Sequence, residues 1–248
     1  MTEEQLTVAR AHVEDYCRAL EYPTPNLTFV KGYMEFLEKA GIVRESMDLV
    51  ISNCVINLSP DKPRVLQQVY QSLKEGGEFF FSDVYCSRRL STTLRNHDVL
   101  LGECLGGALY IEDFKRICTQ VGFTDVRQLS KTPIEIHDEK LRDLLGEAKF
   151  YSITYRCFKV ELETLCEDYG QVAIYTGGIP GHLHAYALDD HHRFEKGLPY
   201  RVCGNTANMV GKSWLGKYFN VIGSFDVHYG LFDCAPASAA SSVDAPCC

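Results

Sequence analysis

No apolar run in the 248 residues is long enough to span a bilayer. The opening Met-Thr-Glu-Glu lacks the basic and apolar regions of a secretory signal. There is no excess of positive charge either. The 25 basic residues face 33 acidic ones, and the net charge of −8 argues against a general nucleic-acid or anionic-membrane surface. A local basic patch stays open. No paired CxxC and no Cys/His spacing of a zinc site occurs, and no internal repeat, although eleven cysteines are present. An odd, scattered set without a secretion signal predicts reduced thiols and a cytoplasmic chain, not a disulfide scaffold. Asn26-Leu27-Thr28 and Asn57-Leu58-Ser59 match the glycosylation pattern but carry no weight in that setting.

What is present suffices for a sizeable core, with 46% hydrophobic residues. Leu6, Ala9, Val13, Tyr16 and Leu20 recur at helical spacing and predict a helix over 3–20, stopped by Pro23 and Pro25. Leu27–Tyr33 predicts a short strand, 34–40 a short helix ended by Gly41, and Asp48–Ser52 a strand apolar enough to be buried on both faces. Ser59-Pro60-Asp61 opens a helix to Leu73, Lys74-Glu75-Gly76-Gly77 stops it with a turn, and Glu78–Val84 follows as a strand. Residues 110–121 predict a helix, Val126–Leu129 and Pro133–Ile136 a strand pair, Asp138–Leu145 a helix and Ser152–Val160 a strand.

This alternation implies right-handed crossovers and a mostly parallel sheet, the later half of a doubly wound α/β domain over 1–160. A compositional break near 161–170 precedes a smaller α+β domain over 171–235, rich in Gly, His, Tyr and Asp, with Trp214, Tyr218 and Phe219 in its core. Residues 236–248 have the composition of a disordered tail ending in Cys247-Cys248, two exposed thiols able to capture soft ions.

Two cysteines say the most about chemistry. Cys54 and Cys104 fall in loops at the predicted carboxyl ends of parallel strands, where open α/β sheets place their ligands. Two thiols facing one crevice suit a soft, thiophilic substrate. A random cysteine is more often a small buried hydrophobe. Here the flanks are polar or glycine-rich, which weakens that reading. Cys203 and Cys234 keep it. Asp83 caps the next turn. His191-His192 beside Asp189-Asp190 is a turn or interface feature, because adjacent residues on a strand point to opposite faces and do not share one ion.

Ser52-Asn53-Cys54-Val55-Ile56-Asn57-Leu58-Ser59-Pro60-Asp61-Lys62, then Gly76-Gly77-Glu78, Phe81-Ser82-Asp83-Val84 and Gly102-Glu103-Cys104-Leu105-Gly106-Gly107-Ala108, resemble in order the motifs of the arsenite methyltransferases. These are class I S-adenosylmethionine-dependent enzymes with a Rossmann-like sheet. Val202-Cys203-Gly204-Asn205-Thr206 and His228-Tyr229-Gly230-Leu231-Phe232-Asp233-Cys234 are similar to its algal and microbial members. The resemblance implies that Cys54 and Cys104 hold As(III) and that S-adenosylmethionine donates the methyl group. It places Met34 and Glu35 beside the adenine, with Asn53 and Val55 lining the same pocket. Met1 falls near the cofactor, just after the family's ribose-binding acid.

On the residues alone Glu35 is an ordinary exposed helix acid; the resemblance makes it an acceptor for the exocyclic amine. The resemblance also implies a trivalent arsenical substrate, delivered as a thiol conjugate, and a thiol reductant. The family's glycine-rich loop and its ribose-binding acid have no counterpart here, so the chain resembles a member lacking its N-terminal third. Two other readings stay open: a non-catalytic arsenical-binding protein that keeps the thiol crevice, and a scaffold acting through partners.

Overall fold

The computed structural model describes residues 2–233. Met1 and the tail therefore lie outside the described residues, as do Cys234, Cys247 and Cys248. The elements run in the order α1 (Glu3–Ala11), α2 (Val13–Ala19), β1 (Met47–Asn53), α3 (Lys62–Ser72), β2 (Leu73–Cys86), α4 (Thr92–Arg95) and α5 (Asp98–Gly102). Next come β3 (Leu109–Tyr110), α6 (Ile111–Val121), β4 (Val126–Ile134), α7 (Glu139–Leu145) and β5 (Phe150–Phe158). The remainder holds β6 (Val172–Tyr175), β7 (Ala185–Ala187), β8 (Arg193–Glu195), β9 (Pro199–Arg201), α8 (Gly204–Lys212) and β10 (Phe219–Ile222). No helix among the described residues is long and apolar enough to cross a membrane.

The main sheet has the order β1-β2-β5-β4, and β3 extends β2 at Tyr85 and Cys86, beyond the point where β1 ends. β1 and β3 run parallel to β2, but β5 is antiparallel to both β2 and β4. Four of the five strands therefore run in one direction, the mostly parallel sheet expected, and β5 alone is reversed. The cause is the connection through α7. Ile134 pairs with Phe150, so the chain leaves and re-enters the sheet at one end and must return in the opposite sense. The expected strand pair within 126–136 is instead one strand with a register shift between Gln128 and Ser130, because β5 offers a partner along its whole length.

One face of the sheet is a closed apolar layer. Phe79 and Phe81 of β2 stack at 4.0 Å, and Ile153, Tyr155 and Cys157 of β5 join them beneath Val65, Leu66 and Val69 of α3 and Phe114 and Cys118 of α6. Asp61 caps α3 by accepting from the Arg64 N–H, which sets that helix over this face. On the opposite face, the half nearest Glu78 is covered by the 160–222 region. Phe158 joins Tyr175, Phe194, Val210 and Leu215 there in a second core. The half nearest Asn53 is open and forms a groove of about 530 Å³ lined by Ile51, Asn53, Phe80 and Leu129. β1 is therefore not buried on both faces: Ile51 is 71% exposed and Leu49 50%. It lies at the sheet edge, and no described element covers that side.

Other expectations need correction. The helix expected over 3–20 breaks at His12, which takes φ −98°, ψ 1°. The buried face then rotates to Leu6 and Cys17, leaving Tyr16 and Leu20 exposed. Leu27–Tyr33 is not a strand and pairs with none of the described strands; the Arg10 guanidinium holds it through the Phe29 carbonyl. At 74–77 the expected turn survives as an excursion within β2. Pairing jumps from Met47–Leu73 to Leu49–Glu78, and Gly76 has φ +81°. Trp214 is not a core residue. It stays 38% exposed, with its ring at the surface and only its indole N–H turned inward to donate to the buried Glu78 Oε2 at 2.6 Å.

Candidate functional site

β1 ends at Asn53 and the chain turns at once. Cys54 lies at φ +53°, while its N–H still donates to the Ser82 carbonyl of β2 at 2.9 Å. Val55 then leads into a short 3-10 turn, Ile56–Leu58. The buried Asp83 carboxylate at the end of β2 holds this turn. It accepts from the N–H of Asn57 at 3.1 Å and of Val84 at 2.8 Å. The Asn57 amide in turn donates to the Val84 carbonyl at 2.6 Å. Asp83 therefore caps the loop that carries Cys54, not the turn after itself. Burial pushes its carboxyl up, opposed by these N–H groups and by the Lys62 charge.

Cys104 sits in a second loop, after α5, at φ +60°. The glycines behind it explain how the loops meet. A Cβ on Gly107 would lie 2.0 Å from the Asn57 carbonyl oxygen, so only glycine permits this backbone contact. The sulfurs consequently share an environment. Burial raises the Cys54 thiol pKa, and the Asp83 carboxylate and Cys104 raise it further. Four described non-glycine residues have positive φ, and these two cysteines are half of them. Each such residue costs on the order of 1 kcal/mol and persists only where its surroundings impose it.

The remaining expected site residues are distributed around this point. Asn53 and Val55 flank Cys54 and are exposed. Met34 packs against the main core. Glu35 is buried, not an exposed helix acid, and its carboxylate accepts from the Ser59 hydroxyl. The Arg64 guanidinium donates to the Glu35 carbonyl at 3.0 Å. Ser59 thus links Glu35 to the loop that carries Cys54. Met1 lies outside the described residues. A buried carboxylate next to Met34 is an acceptor of the chemistry that the amine edge of an adenine requires. Sequence reasoning gave no site role to Asn57, Ser59 or Gly107, and placed Ser59 only at the opening of the following helix. The only signal was their presence inside the two cysteine motifs.

The sheet, with its ligand loops at the strand ends, defines a methyltransferase domain, and residues 1–122 match a family model described by that name. The arsenite methyltransferase of Aquipseudomonas alcaligenes is 51% identical over 94% of this chain and 67% of its own length. That of Rattus norvegicus is 43% identical over 86% of this chain and 57% of its own. The crystal structure of an arsenic(III) S-adenosylmethionine methyltransferase from Chlamydomonas reinhardtii superposes with a TM-score of 0.91 at 59% identity. It covers 94% of this chain and 78% of the algal one. The chain belongs to the arsenite methyltransferase family. It spans about two thirds of the bacterial relative and less of the rat one.

Proposed function

We propose that this chain binds trivalent arsenic between Cys54 and Cys104 and that the site methylates it from S-adenosylmethionine. The observation that carries this reading is the pair of left-handed cysteines on two loops locked together by Gly107 and Asn57. Thiolate is the matched ligand for soft As(III). Each protein thiol forms an As–S bond as one small thiol of the conjugate leaves arsenic, and its proton goes to that departing sulfur, which offsets the raised pKa of Cys54. Arsenic held by thiolates keeps a lone pair directed at an incoming methyl group, so alignment does most of the work and no general base is needed at arsenic. S-Adenosylmethionine, when bound, supplies the electrophilic methyl. Glu35 would accept from its adenine amine, with Asn53 and Val55 along the same wall. Methylation raises arsenic from the trivalent to the pentavalent state, so a low-molecular-weight thiol reductant closes the cycle. The substrate arrives as a thiol conjugate.

Changing Cys54 or Cys104 to Ser should weaken arsenite binding at least about tenfold, or ~1.4 kcal/mol. If both single variants bind as tightly as the parent, the shared site is wrong. A second reading, arsenical binding without catalysis, draws on Glu35, Asn53 and Val55 being candidates for the adenine side of the cofactor alone. Calorimetric titration with S-adenosylmethionine separates the two: binding supports the enzyme, and its absence with arsenite binding retained supports the binder.

A further inference from the structure

A second pair of thiols lies far from the first. Cys203 is fully buried and caps α8, with Sγ accepting from the Thr206 N–H at 3.5 Å and lying 3.3 Å from the Thr206 hydroxyl. The guanidinium of Arg127 on β4 points Nη2 at the same sulfur, 4.0 Å away. The partner thiol is Cys166. The Gly204 N–H donates to the Glu167 carbonyl at 2.9 Å, which holds the two cysteine-bearing segments side by side, and the Cys166 side chain hydrogen-bonds Cys203. That bond, opposed by burial and supported by Thr206 and Arg127, holds the Cys203 thiol at about 4, so at neutral pH Cys203 is a thiolate with the Cys166 side chain against it.

Cys166 also lines a cavity of about 390 Å³, together with Arg127, His192, Tyr200 and Phe232. β1, which ends one residue before Cys54, and β4 occupy opposite edges of the sheet, three strand spacings or about 14 Å apart. The methyl-transfer reading uses none of these groups.

We propose that Cys166 and Cys203 form a second soft-ligand site, which takes a trivalent arsenical bearing one organic group. The choice of arsenic rests on the proposed function; the existence of the thiol pair does not. Such an arsenical has two exchangeable valences, matching two sulfurs in contact. Among the described residues no group of three or more His, Cys, Asp or Glu is arranged to hold a metal ion, whereas zinc requires four ligands. The third valence keeps its organic group, and the Tyr200 and Phe232 rings give the cavity an apolar wall for it.

The chemistry balances without an oxidant. Two As–S bonds form and the As=O unit of an arsine oxide breaks. Its oxygen leaves as water with the Cys166 proton and one from solvent, and arsenic stays trivalent.

The probe is phenylarsine oxide, added to the full chain after reduction and removal of the reductant. Cys234, Cys247 and Cys248 are changed to Ser to silence the C-terminal thiols. Intact mass should report two equivalents per chain. Cys54→Ser with Cys104→Ser should keep one, mapped by proteolysis to the Cys166 and Cys203 peptides, and adding Cys166→Ser should remove it. Cys166 is half-exposed, so a circular dichroism spectrum unchanged by Cys166→Ser keeps the comparison fair. No adduct in the Cys54→Ser, Cys104→Ser chain, or an adduct that survives Cys166→Ser, overturns the proposal. An adduct at Cys166 and Cys203 with none at Cys54 and Cys104 would instead overturn the proposed function and leave this site standing.

Discussion

At Asp83 one carboxylate shapes the loop that carries Cys54 and sets part of the charge its sulfur feels. The two roles are separable. Asp83→Asn keeps an acceptor for one N–H and removes the negative charge. Because Asp83 helps to raise the Cys54 thiol, the variant should lower that pKa. The iodoacetamide alkylation rate of Cys54 against pH should then shift its midpoint to lower pH, with the alkaline plateau unchanged. A changed plateau with a fixed midpoint would mean that the loop had loosened and that the charge was irrelevant.

Asp83 itself is held above its ordinary value of 3.8. Its contribution to stability is therefore fully present below that pH and is lost as pH rises through the raised value. Asp83→Asn should flatten the melting temperature across that window. At this scale the identities of the two cysteines were legible in their motifs. Their left-handed backbone was not, since nothing in a cysteine favours positive φ, and the contact that joins their loops is between Gly107 and Asn57, residues fifty apart in sequence.

Among the elements, β2 and β5 depend on a buried ion pair. Arg156 Nε and Nη2 donate to the two Glu78 oxygens at 2.6 and 3.0 Å, and Arg156 Nη1 donates to the Leu188 carbonyl at 3.1 Å. Trp214 completes the set on Glu78. This network ties the main sheet to the 160–222 region. Arg156→Met leaves a buried carboxylate with only the indole, and should cost about 3–5 kcal/mol in denaturant unfolding. Adding Glu78→Gln should recover part of that loss. A double variant no more stable than Arg156→Met would show that packing, not the charge, holds the junction.

α3, α6 and α7 were legible because their apolar spacing and caps are local. The direction of β5 was not, because it is decided by where the connection through α7 re-enters the sheet. Nor was the Glu78–Arg156 pair, in which two charged residues 78 positions apart reveal nothing of each other.

At the scale of the whole molecule, one flank of the sheet carries an apolar band that no described residue covers. β1 pairs only with β2 among the described residues, so its outer edge presents free N–H and C=O groups. On the open face the exposed Ile51 sits beside Phe80 and Leu129 in the groove. An unpaired edge beside exposed aliphatic side chains is a template for pairing with another chain. Self-association of this chain through β1 is the expected consequence, and sedimentation velocity should show a weight-average mass that rises with protein concentration. Ile51→Lys places a charge on that surface and should hold the chain closer to monomer. Because the side chain is 71% exposed, the change should alter unfolding stability by no more than about 0.5 kcal/mol. Unchanged association in the variant would free this edge of responsibility. A loss of several kcal/mol would mean that Ile51 is covered in solution, and the open groove would have to be redrawn as an occupied one.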